Sequence, residues 1–210
     1  MDRIANRNPK HRRCPVTRLA YGAWVAGLLV AVVSCGGGGG DGNVVTPAVT
    51  ASFSPSGTAS GANLVRLQGS ASGDLVTIDV VIKGPTTTDD VYSFAFDLEL
   101  SNPAVARYEN GSALFGAALT IGAGQSSQIL ASQNGDRVTL GVSKAGGGDG
   151  NGVGDAEVVV AKLTFRVLSE GLTLVTISGS PPNDPAALDS TGATIDSIQF
   201  DPAPAAISGT

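Results

Sequence analysis

Apolar and polar residues alternate along most of the chain between residues 63 and 200. Alternation with a period of two is typical of β-strands that bury one face and expose the other. Clusters of Gly, Pro, Asn, Asp and Ser separate the alternating stretches, as turns do. Nine strands, a sandwich-sized number, are predicted at residues 64–68, 75–83, 91–100, 105–109, 128–134, 137–143, 158–167, 172–178 and 194–200.

The third and seventh predicted strands carry the strongest core pattern. On the third strand the inward positions are Tyr92, Phe94, Phe96, Leu98 and Leu100, and the outward positions are Ser93, Ala95, Asp97 and Glu99. On the seventh strand the inward positions are Val159, Ala161, Leu163, Phe165 and Val167. Phe96 and Phe165 are therefore predicted core residues. A tight hairpin is predicted at Asn134-Gly135-Asp136, since Asn and Gly tolerate positive φ.

Composition supports an all-β domain of small side chains. The chain has 210 residues, of which 42% are hydrophobic and only 5% aromatic. This length suits one domain. No window carries a sustained helical stripe, which argues against a helical bundle or coiled coil.

The first 34 residues are typical of an export signal. Six basic residues within positions 1–18 precede an apolar run at 19–33, which is short for a membrane-spanning helix. The run ends in Val32-Val33-Ser34-Cys35, which resembles the lipobox of bacterial lipoproteins. The resemblance implies lipid attachment at Cys35, cleavage after Ser34 and an exported, lipid-anchored protein at the outer membrane or cell surface. A plain secretory signal or a short membrane anchor is the alternative.

The segments on either side of the predicted domain are rich in small residues. Residues 35–62 consist largely of Gly, Ser, Thr, Pro and Ala and are predicted to form a flexible tether. Residues 201–210 are predicted to be a C-terminal tail. The predicted organisation is thus a signal at 1–34, a tether at 35–62, a sandwich at 63–200 and a tail.

Charge limits the partners that the exported chain can bind. Six of the 13 basic and one of the 18 acidic residues lie in 1–34, so the remainder has 7 basic and 17 acidic side chains and a net charge of −10. Such a chain repels phosphate backbones. Nucleic acid is therefore excluded as a partner, and contact with a membrane is expected only through the lipid anchor.

Six short motifs follow one another through the body of the chain. They are Gly73-Asp74-Leu75-Val76-Thr77-Ile78-Asp79-Val80, Phe94-Ala95-Phe96-Asp97-Leu98, Asn102-Pro103-Ala104-Val105, Val142-Ser143, Ala161-Lys162-Leu163-Thr164-Phe165 and Asp189-Ser190-Thr191-Gly192. In their order and spacing these motifs resemble the successive signatures of a cohesin domain. The resemblance spans about residues 63 to 200 and implies a nine-stranded jelly-roll β-sandwich that binds a protein partner, such as a dockerin-bearing protein. It also suggests the outward row Ser93, Ala95, Asp97 and Glu99 as a partner-binding face. The stretch from Phe96 to Pro103 is one residue longer than the family pattern, which predicts a bulge there.

Residue types exclude most catalytic chemistry. The only His is His11 and the only other Cys is Cys14, and both lie in the signal. Sites that need His or a free thiol are therefore excluded from the exported chain. Asp97 and Glu99 are the one carboxylate pair on an outward strand face, and we interpret them as part of a solvated face rather than as a glycosidase pair. We expect no enzymatic activity and no cofactor.

The Gly-rich stretch 146–157 has two interpretations. Asp149, Asn151 and Asp155 supply oxygen atoms at spacings that a Ca²⁺ ion could use. The alternative is a flexible hairpin loop whose acidic residues keep it soluble. Position 153 is Val, where such a loop normally provides a further side-chain oxygen, and this favours the second interpretation.

The sequence thus predicts a non-catalytic, lipid-anchored binding module. A carbohydrate-binding accessory module is the first alternative. The sole Trp, Trp24, lies in the signal, and Tyr108 alone cannot form a sugar-stacking platform. A purely structural envelope lipoprotein is the second alternative.

Overall fold

A computed structural model describes residues 48–57, 63–84, 88–179 and 184–210. The predicted signal, Cys35 and residues 35–47 and 58–62 of the predicted tether lie outside these ranges. No helix long and apolar enough to cross a membrane occurs in the described part of the chain.

All regular structure within the described ranges is β, which confirms the predicted all-β class. The predicted number of nine strands is too low, because the described residues form fourteen. They are β1 Ala51–Ser54, β2 Leu64–Ser72, β3 Leu75–Lys83, β4 Thr88–Leu100, β5 Ala106–Tyr108, β6 Leu114–Phe115, β7 Ser126–Asn134, β8 Arg137–Ala145, β9 Asn151–Val153, β10 Val158–Val167, β11 Gly171–Ser178, β12 Ala186–Asp189, β13 Gln199–Phe200 and β14 Ala205–Gly209.

The strands form two sheets that enclose one core, as in a sandwich. The eight-stranded sheet has the order β1-β14-β11-β4-β8-β7, with β9 and β12 also paired to β4. The six-stranded sheet has the order β13-β2-β3-β10-β5, with β6 also paired to β10. Among the described strands only the pair β13 and β2 is parallel. Phe96 and Phe165 are both buried, as predicted, and they come from opposite sheets.

The sandwich extends beyond the predicted limits of 63 and 200. The tail prediction was wrong, because β14 pairs with β11 on one side and with β1 on the other. The tether prediction was wrong for β1, whose Ala51 lies opposite Gly209. Both strands consist mainly of Ala, Ser and Gly with only Phe53 and Ile207 as large apolar residues, so their alternation gives little hydrophobic signal. Pairing between the two ends of the domain supplies the stability that local sequence does not.

The last predicted strand, 194–200, is mostly not a strand. Only Gln199–Phe200 forms a strand, which lies parallel to β2, and Thr194 forms an isolated antiparallel bridge with Leu188. The preceding residues turn, with the Ile198 N–H donating to the Ile195 carbonyl over 3.0 Å. Other predicted strands in the described ranges are present within a few residues of their expected limits. The predicted hairpin is confirmed, since Asn134 pairs with Arg137 across a two-residue turn in which Gly135 has φ +63°.

Two irregularities change which side chains enter the core. On β4, Val91 and Ser93 pair with consecutive residues of β12, so Tyr92 is an extra residue. Val91 is therefore buried, whereas Tyr92, which was predicted to be a core residue, is only half-buried. On β10, Val160 is extra and buried, and Val159 lies opposite Val81 instead of entering the core.

The predicted bulge after Phe96 is absent from the observed ladder. From Phe94 to Glu99, strand β4 pairs with β8 without a break. Leu100 continues this regularity by pairing with Val175 of β11. The irregular part of β4 is its other end, near Tyr92.

Candidate protein-binding face

The outer face of the eight-stranded sheet carries a row of apolar and small residues that runs across four strands. Leu130 of β7 lies opposite Gly141 of β8, which lies opposite Ala95 of β4, which lies opposite Ala186 of β12. We call these four residues the apolar row. Leu130 is 66% exposed, and no atom lies within 4 Å of the position that a Cβ of Gly141 would take. A prominent Leu side chain thus stands beside a shallow strip of backbone and methyl groups.

Polar rows flank the apolar row on both sides. One row contains Gln128, Ser143 and Ser93 and ends at the apolar Leu188, and the other contains Ser132, Thr139, Asp97 and Ser178. Hydroxyl and amide groups next to an exposed apolar centre are the usual composition of a protein-binding surface. The register therefore gives the face an apolar centre and a polar border.

All four residues of the predicted partner-binding row have the outward register, yet their exposure differs. Ala95 is exposed, and Ser93 and Glu99 are half-buried. Asp97 is only 2% exposed, so its prediction as an exposed acid was wrong. Arg137 covers it, with Nη1 lying 3.5 Å from Asp97 Oδ2 and Nη2 lying 3.4 Å from Glu99 Oε2. Asp97 thus positions Arg137, and Glu99 is the acid that a partner can reach.

The outer face of the six-stranded sheet differs from that of the eight-stranded sheet, because its charged side chains form ion pairs with one another. Lys162 Nζ lies 2.7 Å from Asp79 Oδ1, and Arg66 pairs with Glu157. Arg166 is bound by Glu109 and Asp74, and hydrogen bonds to Glu109 first and then to Asp74 raise the pKa of its guanidinium. These charged groups already have partners within the sheet, and a protein that docked here would have to displace them.

The Gly-rich loop at one end of the sandwich is organised by Lys144, which is not among the residues predicted from the sequence. Lys144 is 4% exposed, and its Nζ donates to the Asp149 carbonyl over 2.8 Å and to Asn151 Oδ1 over 3.0 Å. The Tyr92 ring centroid lies 5.9 Å from the same atom. Lys144 follows Val138, Leu140 and Val142 at the inward register of β8, and this pattern could have revealed it.

This arrangement leaves little basis for the predicted Ca²⁺ ligands. The oxygen atoms of Asp149 and Asn151 that point to a common centre accept hydrogen bonds from an ammonium group. Within the described residues no three Asp, Glu, His or Cys side chains lie close enough to bind a metal. Two of the three predicted Ca²⁺ ligands thus contribute an oxygen atom to the Lys144 ammonium group, and in Asp149 that atom is the backbone carbonyl oxygen.

Asp90 links the Gly-rich loop to the turn that follows β12. It has φ +64°, the only positive value among the described residues other than glycine. Its carboxylate accepts hydrogen bonds from the Gly150 N–H and from both the N–H and the hydroxyl of Ser190. The hydrogen bond from the Ser190 hydroxyl, followed by that from Gly150, lowers the pKa of Asp90. Strain at Asp90 is thus offset by three hydrogen bonds that join distant segments.

The Asp189-Ser190-Thr191-Gly192 motif forms a side-chain-stabilised turn. Asp189 Oδ1 accepts hydrogen bonds from the Thr191 hydroxyl and from the backbone N–H groups of Thr191 and Ala193, over 2.7–2.9 Å. The Thr191 hydroxyl is the main cause of a lowered Asp189 pKa. Gly192 has φ +86°, which explains a glycine at this position.

Comparison with known proteins finds structural similarity to cohesin modules. The chain is similar to the type II cohesin A11 from Bacteroides cellulosolvens, with 15% identity, a TM-score of 0.49 and coverage of 69% of this chain and 98% of that one. It is also similar to a non-cellulosomal cohesin from the archaeon Archaeoglobus fulgidus, with 17% identity, a TM-score of 0.43 and coverage of 72% of this chain and 86% of that one. A third is the cohesin ScaC in complex with the ScaB dockerin from Acetivibrio cellulolyticus, with 12% identity, a TM-score of 0.41 and coverage of 60% and 84%. No protein-family model matches the chain, and no curated protein matches it.

Proposed function

We propose that this chain is a non-catalytic binding module of cohesin type that holds a protein partner, such as a dockerin-bearing protein, at the surface of a bacterial cell. The observation that carries the proposal is the apolar row, in which an exposed Leu130 stands beside Gly141 and Ala95. Exposed apolar groups of this kind mark binding surfaces when they lie together with a polar border. The sequence motifs that resemble a cohesin domain support the same role.

The contrast between the two sheets supports the choice of face. On the six-stranded sheet Lys162, Arg166 and their acidic partners are paired within the face. On the eight-stranded sheet the apolar row has no charge, and Gly141 and Ala95 allow the backbone of a partner to approach closely. Little desolvation cost opposes docking there.

We further propose that the module is exported and anchored by lipid at Cys35. The basic segment, the apolar run and the sequence Val32-Val33-Ser34-Cys35 support this placement. Two or more acyl chains give stable membrane attachment. The module would then present its partner outside the cytoplasm, at the outer membrane or cell surface.

Steric blocking of the apolar row tests the function. The exported chain is used to capture proteins from the envelope and secretome of the producing organism, and the captured protein is purified and titrated by calorimetry. Gly141→Gln should abolish measurable binding, because the new side chain fills the strip between Leu130 and Ala95. It should not unfold the domain, since nothing lies within 4 Å of the new Cβ.

The matched control is Thr77→Gln, which places the same side chain on the outer face of the six-stranded sheet. It should leave binding unchanged. Equal binding by both variants would show that the partner docks elsewhere. A polysaccharide isotherm without any protein partner would instead support a carbohydrate-binding module and contradict the proposal.

A further inference from the structure

Among the described strands, β7 forms an unpaired edge of the eight-stranded sheet, and its sequence lacks the usual protection of such an edge. It is last in the strand order, after β8, and it spans nine residues from Ser126 to Asn134. Its sequence, SSQILASQN, has no charged residue and no proline. Proteins normally protect a long exposed edge with Lys, Pro or a bulge, because unpaired backbone groups pair with other strands. In β7 the register to β8 is regular throughout.

The hairpin turn determines which backbone groups of β7 point outward. Asn134 and Arg137 close a two-residue turn, so they form a hydrogen-bonded pair, and so do Ser132 with Thr139 and Leu130 with Gly141. The Leu100 N–H donates to the Asp136 carbonyl over 2.7 Å, which agrees with this alternation of hydrogen-bonded and non-hydrogen-bonded pairs. The N–H and C=O groups of Ile129 and Ala131 therefore point away from β8, along the free edge.

The sequence of β7 is complementary to itself when it is reversed about Leu130. In that antiparallel arrangement Leu130 lies opposite Leu130 of a second copy, and Gln128 lies opposite Ser132. On the other face, Ile129 lies opposite Ala131, and Ser127 lies opposite Gln133. Apolar residues meet apolar residues, and amides meet hydroxyls. No pair brings like charges together.

We propose that β7 pairs with β7 of a second copy of this chain about a two-fold axis at Leu130, which joins two eight-stranded sheets into one. Ile129 and Ala131 of each copy form hydrogen-bonded pairs, and the two Leu130 side chains meet in a non-hydrogen-bonded pair, where side chains are closest. An interface of this kind uses the same patch on both subunits and closes as a dimer. The apolar rows of the two copies then meet end to end, so that a dimer presents one continuous binding strip.

A charge placed at the two-fold axis should weaken the dimer, and the molecular mass in solution measures this effect. The full chain is purified in detergent, and its mass is measured by sedimentation equilibrium over a range of concentrations. Leu130→Lys places two like charges directly opposite each other and should raise the dimer dissociation constant at least about tenfold. The control is Leu172→Lys, which changes another exposed Leu, 55% exposed on β11, away from the edge, and should alter the constant less than about twofold.

Disulfide trapping tests the register in the full chain with Cys14 and Cys35 replaced by Ser. Leu130→Cys should form a disulfide-linked dimer on mild oxidation, because directly opposite residues lie within disulfide reach. Ser132→Cys should not, because in this register the two copies of position 132 are separated by roughly 13 Å along the strands. The double variant Gln128→Cys, Ser132→Cys should form the dimer again.

Three results would overturn the proposal. They are a monomeric wild-type chain at every concentration, equal effects of Leu130→Lys and Leu172→Lys, and disulfide formation by Ser132→Cys as efficient as that by Leu130→Cys. Partner binding is tested separately by Gly141→Gln. Failure of the dimer therefore leaves the proposed function standing.

Discussion

Lys144 and Asn151 are joined by a hydrogen bond in which the ammonium group donates to Oδ1 over 3.0 Å. This contact ties the end of β8 to the start of β9 and places a cation inside the Gly-rich loop. The same ammonium group binds the Asp149 carbonyl, so one side chain holds both sides of the loop tip. A buried lysine therefore organises the segment whose acidic residues suggested a metal site.

Removal of the Lys144 charge should destabilise the domain. Lys144→Met keeps the apolar stem but loses both hydrogen bonds, and we expect a loss of about 1–3 kcal/mol in the free energy of unfolding. Lys162→Met is the control, because the Lys162 ammonium group also has a side-chain partner, Asp79, but is more exposed, and its loss should cost about 0–1 kcal/mol. Urea unfolding measures both. Equal costs would show that the loop contacts of Lys144 contribute nothing.

Phe96 and Phe165 should contribute strongly to stability. Phe96 packs against Phe200 with ring centroids 5.6 Å apart, and Phe165 packs against Tyr108 at 5.9 Å. Replacement of either by Ala should cost about 3–5 kcal/mol, a large part of the roughly 5–15 kcal/mol that stabilises a domain. Leu168→Ala, at a side chain 49% exposed, should cost less than about 1 kcal/mol in the same urea titration. A small effect at either Phe would contradict its place in the core.

Acid should weaken the contact that Asp90 makes between the Gly-rich loop and Ser190. The pKa of Asp90 is lower in the folded protein than its ordinary value of 3.8, because the Ser190 hydroxyl and the Gly150 N–H bind the ionised form. The stabilisation is therefore complete above the ordinary value and is lost as the pH falls through the folded value. Asp90→Asn, which also tolerates positive φ, removes this titration.

The stability difference between wild type and Asp90→Asn should shrink as the pH is lowered from 6 towards about 2. Thermal unfolding across this range measures it. A difference that stays constant with pH would mean that the charge of Asp90 is irrelevant to the fold.

Glu99 should influence how fast a basic partner associates. Its carboxylate lies at the surface beside Arg137, whereas Asp97 is buried beneath the same guanidinium. Glu99→Lys should slow association and weaken its dependence on salt, with little change in stability. Asp149→Ala in the exposed loop should leave association unchanged. Stopped-flow measurements with the captured partner, at several salt concentrations, distinguish these variants, and identical rates would exclude electrostatic steering by this face.

Cys35 should be required for lipid attachment. Acylation needs the thiol, so Cys35→Ala should abolish incorporation of labelled palmitate and block removal of residues 1–34. Cys14→Ala is the control and should be labelled and processed normally. Labelling that persists in Cys35→Ala would contradict the lipoprotein assignment.

The sequence alone determined the features that depend on neighbouring residues. Period-two alternation located most of the long strands and placed Phe96 and Phe165 inside, and Asn134-Gly135 located a hairpin through the φ preference of its glycine. These signals lie within a few residues of the chain, where local sterics and the burial of one strand face act.

Only the tertiary structure decided the features that depend on distant partners. Ala51 pairs with Gly209 across the whole domain, and the extra residue at Tyr92 depends on how β4 meets β12. Asp97 has an outward register but is buried because Arg137, 40 positions further along the chain, lies over it. Burial and pairing are set by whichever strand lies alongside in the sheet, and alternation within one strand carries no information about that neighbour.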